Sequence, residues 1–551
     1  SSIIMVSARE PLLAQHRPMA PTGGGGPDAV AFDHATSFWS ALIMLSCTCT
    51  LFVVAQWTTH LRAWQHSLSA DDVVSIITFL DIGAFLAFVP GVLYDALGCK
   101  IVGYVGALLS LGGYVCMDQL LKSDGGANVA LLCFVGFVIG HGSIWLVVCA
   151  LNTVTNNFEK QDRGRAVGLV MTTFGLSAGI YSSLFRVIEG TSIEPNLLGF
   201  LGISMGSISL VCVLGIAKMP PGHLLTARGA RATHALGLCI LALVLITLRA
   251  LWTPQVHGLD VIAVVMAVLY VLVLAFQAFL VVRLFLRRGW SIFFQHTMLE
   301  EASADGTPGA LTAVSGEVDG STFSEALRAV EYWLLLFVFL IGIGIGQNMV
   351  NSIGNIPGID VATGVAIFAA GNAVGRFVPG YLSDLLFRHL DRMGFIIIAT
   401  ALLCVSQVVM LVSQQNPIGI YVGIFLTAAA FGSYWVLVPA VEAEWFGRLH
   451  FGKIHGLMLF LAGDGGVVAL YKGLASFAES TRGPCDASSR VAGCFELKWL
   501  VCLALSGIAM LAAVAVRFQR GRVQCRESPR PHPSSMTTFL RTSVSIEAEG
   551  H

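Results

Sequence analysis

The octapeptide Phe88-Val89-Pro90-Gly91-Val92-Leu93-Tyr94-Asp95 returns 289 residues later as Phe377-Val378-Pro379-Gly380-Tyr381-Leu382-Ser383-Asp384. Both copies read FVPGxLxD, so the closing carboxylates Asp95 and Asp384 stand at equal places. Two more matches follow in the same order. Gly142-Ser143-x-Trp145 recurs as Gly432-Ser433-x-Trp435 at an offset of 290. Phe158, Gly164, Gly168 and Leu169 recur as Phe446, Gly452, Gly456 and Leu457 at 288, with basic Arg165 facing Lys453. Three collinear matches at nearly one offset, two of them including charged loop positions, point to an internal duplication.

The sequence between the copies is apolar. The 551 residues are 55% hydrophobic and 12% charged, against about 25% charged in a soluble domain. Too little charge is present to cover the several domains that a soluble chain of this length would form. The 32 Lys and Arg balance 33 Asp and Glu, leaving a formal net charge of −1 and no basic face for nucleic acid. The apolar residues come in runs of about 20, enough to cross roughly 30 Å of hydrocarbon. Spans read at 37–59, 73–95, 100–121, 128–152, 165–187 and 196–217, then a pair within 234–286. Six more lie near 332–355, 361–386, 394–413, 417–440, 454–475 and 498–516. That makes fourteen transmembrane helices in an all-α polytopic protein. The polar stretches 1–36, 289–327 and 517–551 cannot build a core and are expected to be disordered.

Basic residues set the expected orientation. Lys160, Arg163 and Arg165, then Arg287 and Arg288, Arg448 and Lys453, and Arg517, Arg520 and Arg522 fall on one side. With no basic-then-apolar leader before the first span, that side is read as cytosolic, with both termini on it. Lys498 is assigned to the last outer loop, beside Cys485 and Cys494. These cysteines bracket a nine-residue step and are candidates for a disulfide. Arg9-Glu-Pro-Leu12-Leu13 resembles an acidic dileucine sorting signal, which leaves plasma and endosomal or vacuolar membranes both open.

The duplicated unit is six spans (37–218 and 328–516), with the pair at 234–286 inserted between copies. Eight spans separate equivalent points, so the copies share one orientation: two parallel halves related by an axis along the membrane normal. This is the architecture of the major facilitator superfamily. Gly91-Val-Leu-Tyr-Asp95-x-x-Gly98-x-Lys100 resembles that superfamily's signature loop, with Ala96 in place of the usual basic residue. Gly380-x-x-x-Asp384-x-x-x-Arg388 is the matching loop of the second half. Asn157-Phe158-Glu-Lys-x-x-Arg163-Gly164, Gly175-Leu-Ser-x-Gly179, Glu331-Tyr-Trp-Leu-Leu335, Asn351-Ser-Ile-Gly-Asn355, Phe451-Gly452-Lys453-Ile454 and Cys494-Phe495 are similar to the nodulin-like branch. That branch lies near the monocarboxylate and oxalate/formate carriers, and it also carries an extra helix pair between its halves. The resemblance implies a transporter working by alternating access.

Asp95 and Asp384 close helix ends. Each is read as a gate that pairs with a basic residue, or caps a neighbouring helix N-terminus, in only one conformation, with Gly91, Lys100, Gly380 and Arg388 in the same gate loops; the alternative is a charge marking the membrane boundary. Ionisable groups inside spans face a cavity or a partner. Asp81, Arg376, Asp464 and Lys472 are therefore candidates for solute binding, proton relay or an interhelical ion pair. Monocarboxylate carriers place an acid four residues before the Arg; Asn372 stands there instead. The amides Gln347, Asn348, Asn351 and Asn355 recur along one helix, with Gln56 at the comparable place in the first half. In this superfamily those helices line the cavity, so the amides either line water or join helices. Trp145 and Trp435 belong to the other cavity-lining pair, or pack.

No phosphate loop, zinc motif or paired nucleophile and base occurs, so neither an enzyme, a metal site nor a cofactor is expected. The leading reading is a secondary active or facilitative carrier of a small polar organic solute, with an anionic solute and proton coupling both left open. It is expected to be monomeric in the bilayer. A transport-inactive receptor or scaffold on the same fold is the alternative.

Overall fold

The computed structural model describes residues 27–48, 50, 61, 65, 68–123, 128–189, 196–218, 230–251, 255–256, 259–294, 320–356, 358–387, 389–414, 416–482 and 493–527. The first half contains α1 (Pro27–Cys47), α2 (Ala70–Phe85), α3 (Phe88–Leu97), α4 (Cys99–Lys122), α5 (Val129–Asn157), α6 (Arg163–Glu189) and α7 (Asn196–Gly215). The inserted pair is α8 (Ala230–Leu251) and α9 (Val261–Arg288), joined through a two-stranded turn, β1 (Gln255–Val256) with β2 (Leu259–Asp260). The second half holds α10 (Phe323–Arg328), α11 (Val330–Ser352), α12 (Val361–Leu385), α13 (Arg392–Val412) and α14 (Pro417–Trp445). It continues with α15 (Phe451–Gly466), a π-helical segment Val467–Gly473, α16 (Leu474–Arg482) and α17 (Gly493–Glu527). Among the described residues, eleven helices are long and apolar enough to cross a membrane. α1, α6 and α8 stand where the other three of the fourteen expected spans fall.

Polar side chains start these helices. Ser69 and Asp72 form a capping box on α2, and Asn128, Asp260, Asp360, Asp391 and Asn416 each accept from a first-turn N–H of α5, α9, α12, α13 and α14. A cap of this kind is worth about 1 kcal/mol, because four N–H groups at a helix start have no partner inside the helix.

Pro90 breaks the second span. A proline cannot donate to the residue four before it and its ring collides with that carbonyl; here that residue is Leu86, and α2 ends at Phe85. In the second copy the same FVPG lies inside one continuous helix, with Pro379 within α12 and Gly375 four residues before it. One motif thus gives two backbones.

Three expected boundaries are corrected. α1 starts at Pro27 rather than after residue 36, and its Ser37 hydroxyl both donates to and accepts from the Ala217 backbone at the end of α7. The 289–327 linker is ordered at both described ends: Gly289–Phe293 forms a 3-10 turn, and Thr322 and Glu325 cap α10. Gly320 there packs on the backbone of Phe446 and Gly447. Beyond residue 516, α17 continues to Glu527, held by an Arg517–Asp391 ion pair at 2.9 Å and by Arg520 over the Trp445 ring.

α9 packs on α1, α6 and α7, with Gln277 donating to Ser40 at 2.7 Å and Tyr270 sharing a hydrogen bond with Ser46. α8 leans on α6 and also on α12 of the other half. The halves themselves meet along two seams, α6 against α12 and α3 against α15.

Candidate functional site

Each seam is closed at one end by a signature carboxylate capping a helix of the opposite half. Asp384, at the end of α12, accepts from the Arg165 N–H at the start of α6 at 2.7 Å. Asp95, at the end of α3, accepts from the Gly452 and Lys453 N–H groups at the start of α15 at 3.1 and 2.8 Å. The unbonded N–H groups and positive dipole end of each helix meet a negative charge there. Glycines let the backbones touch. A Cβ on Gly380 would lie 2.8 Å from the Gly164 carbonyl oxygen, and one on Gly91 would collide with that of Gly452.

The basic partners differ from expectation. Asp384 is paired at 2.6 Å with Arg392 at the start of α13, which also meets Glu444 and donates to the Lys160 carbonyl across the seam. Arg388 lies outside the described residues. The Lys100 ammonium donates to the Val213 and Leu214 carbonyls at 2.7 and 2.8 Å and so closes the C-terminal end of α7 within its own half. Lys218 and Lys453 are the cations near Asp95; burial pushes Lys218 below the usual lysine range while the carboxylate pulls the other way. Lys100→Met should therefore lower stability by about 1 to 3 kcal/mol through two lost charge-assisted bonds. The seams should stay shut, which thiol labelling at the closed end together with thermal unfolding would check.

Higher between the seams, Arg376 of α12 is fully buried. Its Nε donates to Asn372 at 2.9 Å and one terminal nitrogen donates to the Met171 carbonyl of α6 at 2.8 Å. The guanidinium lies over Phe174 and Trp435, 4.9 and 5.4 Å from the ring centroids. Trp435 is also ringed by Phe85, Phe339 and Phe431. Trp145 is no counterpart of it: its indole donates to His141 one turn away at 2.9 Å, and His141 reaches the Gly83 carbonyl of α2. The two tryptophans share a repeat position without sharing an environment.

The amides divide. Asn351 donates to Asp81 of α2 at 3.2 Å and accepts from Gln347 at 3.2 Å, linking the halves. Asn348, about 100° around the helix from Gln347, instead accepts from Ser352, which in turn accepts from Lys498. Lys498 is buried in α17 over Phe495 rather than in an outer loop. Asp464 of α15 lies within electrostatic reach of Asp81. Lys472 falls in the π-helical segment. Gln56, Cys485 and the side chains of Asn355 and Cys494 lie outside the described residues, and so does the cysteine pairing expected between 485 and 494.

Two arrangements were not legible in sequence. Arg392 was hidden by its place at a helix start. Glu442 and His455, buried on α14 and α15, meet at 2.5 Å. The signal for the second pair was available: each is an ionisable residue inside an apolar run.

A family model described as Nodulin-like matches residues 34–284, the first half together with the inserted pair. An uncharacterized MFS-type transporter of Escherichia coli K12, YhjX, is 26% identical over 153 residues, 26% of this chain. The chain spans 37% of that relative's length. The proton:xylose symporter XylE, solved with 6-bromo-6-deoxy-D-glucose, matches 87% of this chain and 95% of its own at a TM-score of 0.52 and 12% identity, a likeness of fold. The E. coli fucose:proton symporter FucP covers 87% of this chain and 99% of its own, at a TM-score of 0.45 and 13% identity. The chain is thus a multi-pass membrane protein with the fold of the major facilitator transporter XylE, and its first half and inserted pair match the Nodulin-like family.

Proposed function

We propose that the protein is a secondary carrier that moves a small polar solute by alternating access, seen here with the end bearing the two FVPGxLxD loops shut. The observation that carries this reading is the reciprocal capping of α6 by Asp384 and of α15 by Asp95. Contacts made by helix ends with the opposite half are ones that a rocking motion can break and remake. The basic flanks of the same end support a cytosolic side, with both termini there, in a plasma or an endosomal or vacuolar membrane. The resident molecule is a monomer surrounded by lipid. Arg376 lends less support to an anionic solute than its sequence position suggested, since Phe174 and Trp435 enclose it and it donates to Met171 and Asn372.

Arg165 lies over the Tyr381 ring across a seam, 4.8 Å from its centroid. Cysteines introduced at these two positions and joined by a bifunctional thiol reagent should stop uptake into proteoliposomes, and cleaving the linker should restore it. The unsubstituted protein under the same reagent controls for native thiols. Full uptake with the link in place rules alternating access out.

A further inference from the structure

We propose that Asp81, Gln347, Asn351 and Asp464 form a cation site between the halves, which takes a hard metal ion or a primary ammonium group; the proposal rests on the carrier reading above and names the charge of what is carried. The site joins α2 of the first half to α11 and α15 of the second. Asp81 and Gln347 are fully buried. Within the cluster each amide gives one N–H, Gln347 Nε2 to Asn351 and Asn351 Nδ2 to Asp81. The buried atoms left without a partner are oxygens. Asp81 Oδ1, Gln347 Oε1 and both Asp464 oxygens are buried with no hydrogen-bond partner among the described residues.

Such a set is costly when empty, because buried acceptors without partners lose their hydration and gain nothing. Two carboxylates inside a span add like charge. A metal ion of the hard class is held by carboxylate and amide oxygens alone, and an ammonium group offers three donors to the same acceptors. A quaternary ammonium offers neither a coordination position nor a donor.

Two further features fall on the same place. α2 ends at Phe85, four residues after Asp81, and the π-helical segment begins at Val467, three residues after Asp464. Interrupted helices and π-helical turns recur where membrane carriers and enzymes bind ligands. The acids also break the duplication. The repeat offsets of 289 and 288 put Ala370 opposite Asp81 and Leu176 opposite Asp464. The seams are shared by both copies; this charge is not. No cluster of three His, Cys, Asp or Glu side chains fit to hold a metal exists among the described residues; a metal ion here would need the Gln347 amide oxygen beside the two acids.

The test is thermal unfolding of the purified full-length protein in sodium, magnesium, calcium, manganese or methylammonium chloride, against choline chloride at equal ionic strength. A saturable rise in Tm with a metal salt or with methylammonium is expected, and the effective salt identifies the source of the charge. Asp464→Asn should remove the rise, and Gln347→Leu, which keeps both acids, should weaken the apparent affinity roughly tenfold, about 1.4 kcal/mol. Unfolding no different from choline in every salt overturns the proposal, and so does an equal rise in wild type and Asp464→Asn. A Tm that follows pH but no salt, with the dependence lost in Asp464→Asn, overturns it in favour of proton carriage. Binding is read here without transport. A lost uptake with an intact Tm rise therefore counts against the carrier reading alone, and intact uptake without a rise counts against this site alone.

Discussion

Arg376→Met should abolish uptake while leaving a folded, membrane-inserted protein. Methionine fills a similar volume without a buried charge, and such replacements are often neutral for stability. It cannot donate to the Met171 carbonyl across the α6–α12 seam, nor stack as a cation on Phe174 and Trp435. Arg376→Ala should lose uptake and also stability, by roughly 3 kcal/mol, from a cavity and unpaired oxygens together. Arg376→Lys keeps the charge but not the planar fork that reaches Asn372 and the Met171 carbonyl at once, so uptake should fall, though less than in Arg376→Met. Proteoliposome kinetics measured well below the Tm of each variant separate these outcomes. Wild-type kinetics in Arg376→Met would remove the residue from the transport cycle.

Asp384→Ala should open the closed end. The substitution strips the cap from α6 and takes from Arg392 one of its two carboxylate partners, a loss of about 3 kcal/mol for a buried pair. Asp95→Asn is milder. The amide oxygen can still accept from Gly452 or Lys453, but the charge that favours a helix start is gone, a loss of about 1 to 2 kcal/mol. Each 1.4 kcal/mol moves a two-state equilibrium about tenfold. A cysteine at the buried position Ser383, labelled with a membrane-permeant maleimide, should react many times faster in either background. Unchanged labelling in both would show that the caps do not hold the seams.

The duplication carried most of what the sequence could yield. It located both carboxylates, since a repeated octapeptide ending in Asp is visible without any contact, and it placed the inserted pair. It gave wrong equivalences where side chains look across helices rather than along the chain. Lys100 shares a motif with Asp95 yet folds back to the carbonyls of α7. Asp384 draws its cation from the start of the next helix, one turn beyond the expected Arg388. Asp81 and Asp464 come from different halves, and nothing in their local sequence says that they fall within electrostatic reach of each other. The same holds for Glu442 with His455. Helix existence was legible because membrane-crossing length is a local property; helix ends were not, because the contact of Ser37 with Ala217, or of Arg517 with Asp391, is not local.

Each capping carboxylate has a basic neighbour in its own half: Arg392 beside Asp384, and Lys218 near Asp95. When the halves separate, these neighbours travel with the acids, while the hydrogen bonds to α6 and α15 and that of Arg392 to the Lys160 carbonyl are exchanged for water. No bare anion is stranded on either bank. The three backbone donors involved are worth about 1.5 to 3 kcal/mol each in place and are largely replaced by solvent on opening. The caps by themselves thus set only a small net difference between shut and open, one that, on the carrier reading proposed above, a single bound solute could tip.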